Sequence, residues 1–288
     1  MDLKKIDKIV RLALKEDCGA GDITTSLLVP AGLEVEASIL VREPSVVCGL
    51  EFLKRTFLIL DRTAEVSFLV AEGAKVKPGK VIAHIRGKAR AILSGERVAL
   101  NFLGRLSGIA TLTRSFVDAV RGTKAVVLDT RKTTAGLREL DRYAVRVGGG
   151  VNHRFDLGEM VLVKDNHRIL CGAYGSLAAM MMKLRTKTFK PIEVEVDTID
   201  ELEDVLHEPP EMVLLDNMPA EKLRKAVRLV ACLSRGRRPL LEASGGINIH
   251  NVRAVAKTGV DRISIGALTH SARCVDVSLD LHALKKGQ

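Results

Sequence analysis

Three acidic residues alternate with aliphatic ones in IEVEVD, residues 192–197. A period of two puts Glu193, Glu195 and Asp197 on one face of a strand, with Ile192, Val194 and Val196 on the other. A parallel strand covered on both faces is ordinarily apolar throughout. Inward-facing acids therefore need cations, a metal or a bound ligand to offset their lost hydration. Internal ion pairs to neighbouring lysines account best for Glu193, the deepest of the three. Toward the C-terminal end of the strand the pattern favours function.

Candidate cations follow other strand-like runs. DTRKTTAGLR (129–138) places Arg131 and Lys132 just past a strand, and VLVKDNH (161–167) ends one at Lys164. YAVRVGGGVNHR (143–154) brings three glycines beside His153 and Arg154. Gathering these cations is costly unless an anion sits among them. Arg suits bidentate capture of carboxylate or phosphate, and Lys acts as a point charge. Each charge-assisted contact contributes about 1.5–3 kcal/mol. Arg138, Arg142 and Arg146 follow the spacing of an exposed helix and read instead as a solvated basic rim. EASGGI (242–247) and SIGALTHS (264–271) carry Gly245-Gly246 and Gly266-Ala267, where backbone N–H groups can approach a phosphate closely.

The elements that must position these groups are legible as rhythm. Residues 1–28 suggest an amphipathic helix whose apolar set is Ile6, Ile9, Val10, Leu12, Ala13 and Leu14, then a turn with a helix-starting Asp22-x-Thr24. Residues 35–93 read mostly as strands with one helix near 49–60, and helical spacing resumes over 94–120. Six apolar runs then recur at strand–helix spacing: 125–130, 160–165, 192–197, 212–217, 239–246 and 262–268. Such a series makes a parallel sheet, most economically closed as a barrel. Asp129, Arg131, Lys132, Lys164, Asp165, Glu195, Asp197, Asp216 and Glu242 fall at or near the C-terminal strand ends, the face on which α/β barrels build active sites. An open doubly wound sheet is the alternative, but its GxGxxG fingerprint is missing. HExxH, GxSxG and P-loop motifs are also missing. His84, His207, His250 and His282 stand isolated and read as structural or exposed.

Composition narrows the partners. The 288 residues, 47% apolar and 28% charged, suit one large or two unequal globular domains. Lys and Arg exceed Asp and Glu by 45 − 35 = +10, which points to anionic partners. With no Trp, two Tyr and no dense basic tract, nucleic acid is disfavoured and small anions come first. No apolar run reaches the length of a membrane span. The N-terminus lacks the apolar core of a secretory signal, so a cytoplasmic protein is expected. Five cysteines without CxxC spacing are expected to be reduced and structural.

In DTRKT…GLR…YAVRVGGGVNHR…LVKDNH the chain resembles the quinolinate phosphoribosyltransferases of NAD biosynthesis. The resemblance extends to EDxxxGDIT (16–24), GERxALNFLxxLSGIAT (95–111), EVEVD (193–197), LLDN (214–217), EASGGI and GALTHS. Ala135 stands where the family often has Pro, and Arg105 where His is common. The resemblance implies an N-terminal α/β sandwich domain (1–107, joined by the C-terminal segment 270–288) and an incomplete, open, seven-stranded α/β barrel (108–269) of the type II phosphoribosyltransferase kind. It further implies a pentosyltransferase that converts quinolinate and phosphoribosyl pyrophosphate to nicotinate mononucleotide, pyrophosphate and carbon dioxide. Magnesium would accompany the substrate, without an organic cofactor. A homodimer is implied, in which Arg97 reaches the site across the interface, with assembly beyond the dimer left open.

Carried over by position, Arg97, Arg131, His153, Arg154 and Lys164 would hold the quinolinate carboxylates, with Thr130 also in the binding set. Lys132 and Lys164 would meet the pyrophosphate, and Glu195 and Asp216 the ribose hydroxyls and magnesium. Ser244, Gly245, Gly246, Gly266, Ala267 and Leu268 would cradle the 5′-phosphate. Lys132, Lys164, Glu195 and Asp216 form the expected catalytic set. A Schiff base at Lys164 would be competing chemistry, but nearby Arg residues and Asp165 oppose the neutral pocket it needs. A paralogue acting on another pyridine acid, including a molybdenum-transport-associated relative, and a non-catalytic phosphate-binding barrel remain as alternatives.

Overall fold

The computed structural model describes residues 1–170, 175–233 and 238–283. The chain begins with α1 (Leu3–Cys18) and α2 (Ile23–Leu28), followed by β1 (Glu34–Val41), β2 (Ser45–Val46) and α3 (Leu50–Leu60). Next come β3 (Glu65–Phe68), β4 (Lys75–Val76), β5 (Lys80–Lys88) and the long α4 (Ala89–Ala119). The second half runs β6 (Val126–Leu128), α5 (Arg138–Val147), β7 (Val161–Val163), α6 (Asp165–Leu170), α7 (Leu177–Arg185) and β8 (Ile192–Val196). It continues with α8 (Ile199–Val205), β9 (Met212–Asp216), α9 (Ala220–Leu233), β10 (Leu240–Ser244) and α10 (Val252–Ala256). The last described elements are β11 (Arg262–Ser264), α11 (Ala267–His270) and β12 (Val277–Ala283).

These elements fall into two units. The first takes Met1–Leu112, Glu139–Gly148 and the segment from Ala272; the second takes Thr113–Arg138 and Gly149–Ser271. Residues 139–148 thus group with the first unit, although they lie inside the stretch expected to be barrel.

In the first unit β12, β1, β5 and β3 form an antiparallel sheet in that order. Val35, Ala37, Ile39 and Val41 alternate inward along β1 and join Leu53, Phe57, Ile82, Ile85, Ile92 and Leu103 in one core. The Asp22 side chain starts α2 by accepting from Thr25 N–H, as the sequence signal suggested. In α1 only Ile6, Val10 and Leu14 are buried; Leu12, expected among them, is 69% exposed. His84 and His282 are not isolated, because their Nδ1 and Nε2 flank Ser38 Oγ at 3.1 and 3.0 Å across adjacent strands. The C-terminal segment crosses α4 at two glycines. A Cβ on Gly104 would lie 2.8 Å from the Val275 carbonyl oxygen, and one on Gly108 would collide with that of Arg273.

Arg142 corrects the reading of a solvated rim. It is only 9% exposed, and its neighbour Asp141 is fully buried with two contacts from Arg105 Nη2 at 2.9 and 3.0 Å. Arg138 is also engaged, donating to Thr133 Oγ1 and to the Phe155 carbonyl. Of the three, Arg146 is the exposed one. The four described cysteines are unbridged, but Cys232 and Cys274 are exposed, so packing does not explain them. Cys171 lies outside the described residues.

The second unit is built on a parallel sheet in the order β6-β11-β10-β9-β8-β7. A parallel bridge from Leu128 to Val151 lies beside β6, in the place of a seventh strand. The two edge strands, β6 and β7, do not pair, so this is an open α/β barrel. Each expected run yields a strand, shorter than the apolar stretch that announced it. Residues left over at the C-terminal ends turn toward one cavity, except Asp197 after β8. No described helix is long and apolar enough to cross a membrane.

Candidate active site

The cavity at those strand ends has a volume of about 840 Å³. Its lining gathers Thr130, Arg131, Lys132, His153, Arg154, Lys164, Glu195, Asp216, Ser244, Gly245, Gly246, Gly266 and Ala267, residues singled out from the sequence. Leu268 is buried behind them on α11 and does not line the cavity. Arg97 lies in the first unit, exposed on α4.

Loop anchors explain how the cations are held. Fully buried Asp129 accepts from the His153 backbone N–H at 2.7 Å and from Asn152 Nδ2 at 2.6 Å, which fixes the turn carrying His153 and Arg154. The Arg154 guanidinium donates to the Met160 carbonyl at 3.0 Å. Burial, and then the charge of Arg131, hold Arg154 below its usual basicity, so like charges do converge here. Thr269 Oγ1 donates to the Lys132 carbonyl at 2.7 Å. A Cβ on Gly266 would come within 3.1 Å of the Lys132 side chain, so that glycine gives the lysine its path. Among the described residues neither Arg131 nor Lys132 has an ion-pair partner. Lys164 Nζ sits 2.8 Å from Glu195 Oε2, a charged pairing unlike a Schiff-base lysine in an apolar pocket.

Beneath these groups lies a buried charged floor. His153 Nε2 is 3.1 Å from Glu193 Oε2 and 3.4 Å from Glu242 Oε1, and Arg262 Nε is 2.9 Å from Glu242 Oε2. Glu193 is thus paired, as its depth suggested, but its partner is a histidine rather than a lysine. The approaches are close yet off-line for hydrogen bonds, which leaves both carboxylates without a well-directed donor. Burial alone would lower the His153 pKa; Glu193 and Glu242 overcome it and push the ring up to about 9. The Arg154 backbone N–H lies 2.8 Å from His153 Nδ1 and can donate to it only in the neutral ring, whose proton then sits on Nε2; this contact opposes the second protonation that the two carboxylates favour. Burial and the Glu242 charge raise Glu193, whereas His153 and Arg262 outweigh burial to hold Glu242 low. His153, Glu193 and Glu242 are close enough to share a metal ion, but Arg262 already supplies a compensating cation there.

Asp197 leaves the inward row. β8 ends at Val196, and Thr198 starts α8 with a capping box that turns the backbone away. Asp197 pairs with Arg168 at 2.6 Å and lines a different cavity. Its charge still acts on Asp216, whose carboxyl is raised by burial and by Glu195 and Asp197, with Lys164 offsetting part. Such incompletely compensated oxygen donors suit a hard divalent cation.

The sequence reading missed Asn217 and His270 as lining residues. His270 folds back so that a Cβ on Gly266 would meet its Nε2 at 3.0 Å, and its Nδ1 lies 2.7 Å from Ser271 Oγ. Asn217 directly follows Asp216 in LLDN, and His270 ends GALTH, so their place beside strand ends was the available signal.

Models of two domains match the chain: Quinolinate phosphoribosyl transferase, N-terminal domain over residues 22–107 and C-terminal domain over 109–280. The carboxylating nicotinate-nucleotide pyrophosphorylase of Mycobacterium leprae is 45% identical over 279 residues, covering 94% of this chain and 95% of the relative. A decarboxylating mitochondrial quinolinate phosphoribosyltransferase of Nicotiana glauca is 38% identical, over 97% of this chain and 82% of its own length. The solved nicotinate-nucleotide pyrophosphorylase of Francisella tularensis superposes with a TM-score of 0.89 at 35% identity, covering 98% of each chain.

Proposed function

The chain belongs to the quinolinate phosphoribosyltransferase family, and from that premise we propose how its strand-end cavity carries out the reaction. The protein is a pentosyltransferase of NAD biosynthesis, converting quinolinate and phosphoribosyl pyrophosphate to nicotinate mononucleotide, pyrophosphate and carbon dioxide. The observation that carries the assignment of roles is the meeting of Arg131, Lys132, Arg154 and Lys164 with Glu195 and Asp216 in one cavity.

Arg131, Arg154 and Lys164 hold the two substrate carboxylates, with His153 acting from the charged floor below. Lys132 and Lys164 face the pyrophosphate. Ser244, Gly245, Gly246, Gly266 and Ala267 receive the 5′-phosphate, aided by the positive φ of 85° and 62° at Gly245 and Gly246, while Leu268 packs behind them. Glu195 and Asp216 orient the ribose hydroxyls and stabilise positive charge as the bond from C1 to pyrophosphate oxygen breaks and its electron pair leaves with pyrophosphate. The pyridine nitrogen supplies the pair for the new bond to C1. In the resulting pyridinium the adjacent carboxylate leaves as carbon dioxide, its bonding pair stays on the ring carbon, and that carbon takes up a proton. No protein nucleophile is required.

Magnesium entering with the donor fits Glu195 and Asp216, whose shared negative charge Lys164 only partly offsets. When bound, it compensates charge on the pyrophosphate. Family resemblance implies a cytoplasmic homodimer, and Arg97, exposed on α4 of the first unit, is available to complete the quinolinate site of the partner subunit.

An assay with quinolinate, phosphoribosyl pyrophosphate and magnesium, following nicotinate mononucleotide and carbon dioxide together, tests the reading. Equal release of both products, with little turnover of nicotinate, is expected. Turnover of nicotinate alone would identify a non-decarboxylating relative, and silence with both would leave a phosphate-binding barrel.

A further inference from the structure

Asn217 is the one non-glycine residue with a positive φ, +49°, among the described residues. Asparagine tolerates this left-handed conformation better than most residues, but still at a conformational cost. What the conformation achieves is a link between two strand ends. Asn217 Nδ2 donates to Asp216 Oδ2 at 2.5 Å, at the end of β9. Its backbone N–H donates to the Ser244 carbonyl at 2.9 Å, at the end of β10. Its Oδ1 occupies the space where a Cβ on Gly245 would stand, so amide and glycine loop are fitted to each other.

We infer that Asn217 is a positioning residue that locks the Asp216 carboxylate to the glycine loop after β10, so that the donor's ribose and 5′-phosphate are recognised as one unit. The inference rests on the donor assignment proposed above. Holding Oδ2 leaves Asp216 Oδ1 as the oxygen offered to the ribose. The same amide backs Gly245, on the loop assigned to the phosphate. A turn into α9 alone would not require this side chain, because glycine adopts the same φ without strain. The Asn217 side chain is exposed toward the cavity rather than packed in the core.

Asn217→Gly separates the two roles, keeping the backbone conformation and removing the amide. Losing a hydrogen bond to a charged acceptor should lower kcat/KM for phosphoribosyl pyrophosphate about 10- to 150-fold. KM for quinolinate should stay within about twofold and Tm should not fall. Calorimetry with ribose 5-phosphate and inorganic phosphate should show that Asn217→Gly loses affinity for the sugar phosphate more than for phosphate. Wild-type donor kinetics in Asn217→Gly, or equal losses for quinolinate and donor, would overturn the inference. Should the wild-type protein not turn over quinolinate, the proposed function fails, while the calorimetric comparison still decides the role of Asn217.

Discussion

On the floor of the barrel, His153 lies within ion-pair distance of Glu193 and Glu242, and Arg262 of Glu242, in a region almost closed to water. At the mouth, Arg131 and Lys132 are exposed without ion-pair partners among the described residues, and Arg131 depresses the basicity of Arg154. Both regions concentrate charge on the same sheet, and the floor is compensated from within, whereas at the mouth Lys164 pairs with Glu195 and leaves Arg131 and Lys132 uncompensated among the described residues. Buried charge must find its counter-ion within the fold, because the lost hydration is otherwise too costly. Charge at a cavity mouth is still hydrated and can await a ligand. The difference separates residues that compensate charge inside the barrel from residues left with charge to offer, the ones proposed above to recognise anions.

The largest effect should come from breaking the floor. Glu242→Gln keeps the volume but removes the carboxylate facing both Arg262 and His153, and should cost about 3–5 kcal/mol in urea unfolding. A neutral result would mean that the floor cations are satisfied without it. At the mouth the ranking reverses. Arg131→Ala should raise KM for quinolinate about 10- to 150-fold while changing stability by less than about 0.5 kcal/mol. A stability loss as large as that of Glu242→Gln would erase the distinction between the two regions.

Much of this contrast was legible in the chain. The alternation in IEVEVD placed Glu193 and Glu195 inside, and the strand-ending residues marked the face that holds the cavity. Asp197 escaped because alternation carries no information about where a strand stops; the Thr198 capping box ended β8 one residue earlier. Arg142 was misread for a related reason. Helical spacing gives a face, but whether that face meets solvent depends on what packs against the helix; Asp141, next to Arg142, is fully buried and paired with Arg105 from α4. Asn217 was hidden because its role lies in a backbone angle, which residue type permits but does not announce.

A smaller effect should sharpen the account of the floor. The His153 pKa is raised to about 9 from an ordinary 6.5, so protonation of the folded state is favoured over that of the unfolded chain. The resulting stability is fully present below the ordinary value and lost as pH rises through about 9. Urea unfolding across that window should show declining stability in the wild type and a flatter profile in His153→Gln. Equal slopes would assign the decline to other groups.

The smallest effect should come from a residue that touches neither floor nor mouth. Asp197 has turned out to Arg168, and Arg168 also holds Glu201 at 2.8 Å, so Asp197→Asn should leave that corner of the fold standing. Its charge nevertheless helps burial and Glu195 to raise the Asp216 carboxyl. Removing the charge should let that carboxyl fall back toward its ordinary range, keeping it ionised to lower pH. The acid limb of kcat/KM for phosphoribosyl pyrophosphate should therefore move to lower pH, with the plateau near wild type. The direction of this shift is the test: a limb that stayed in place would mean that Asp216 is not the group titrating there. A limb moving to higher pH would mean that Asp197 supports the site through structure rather than through its field.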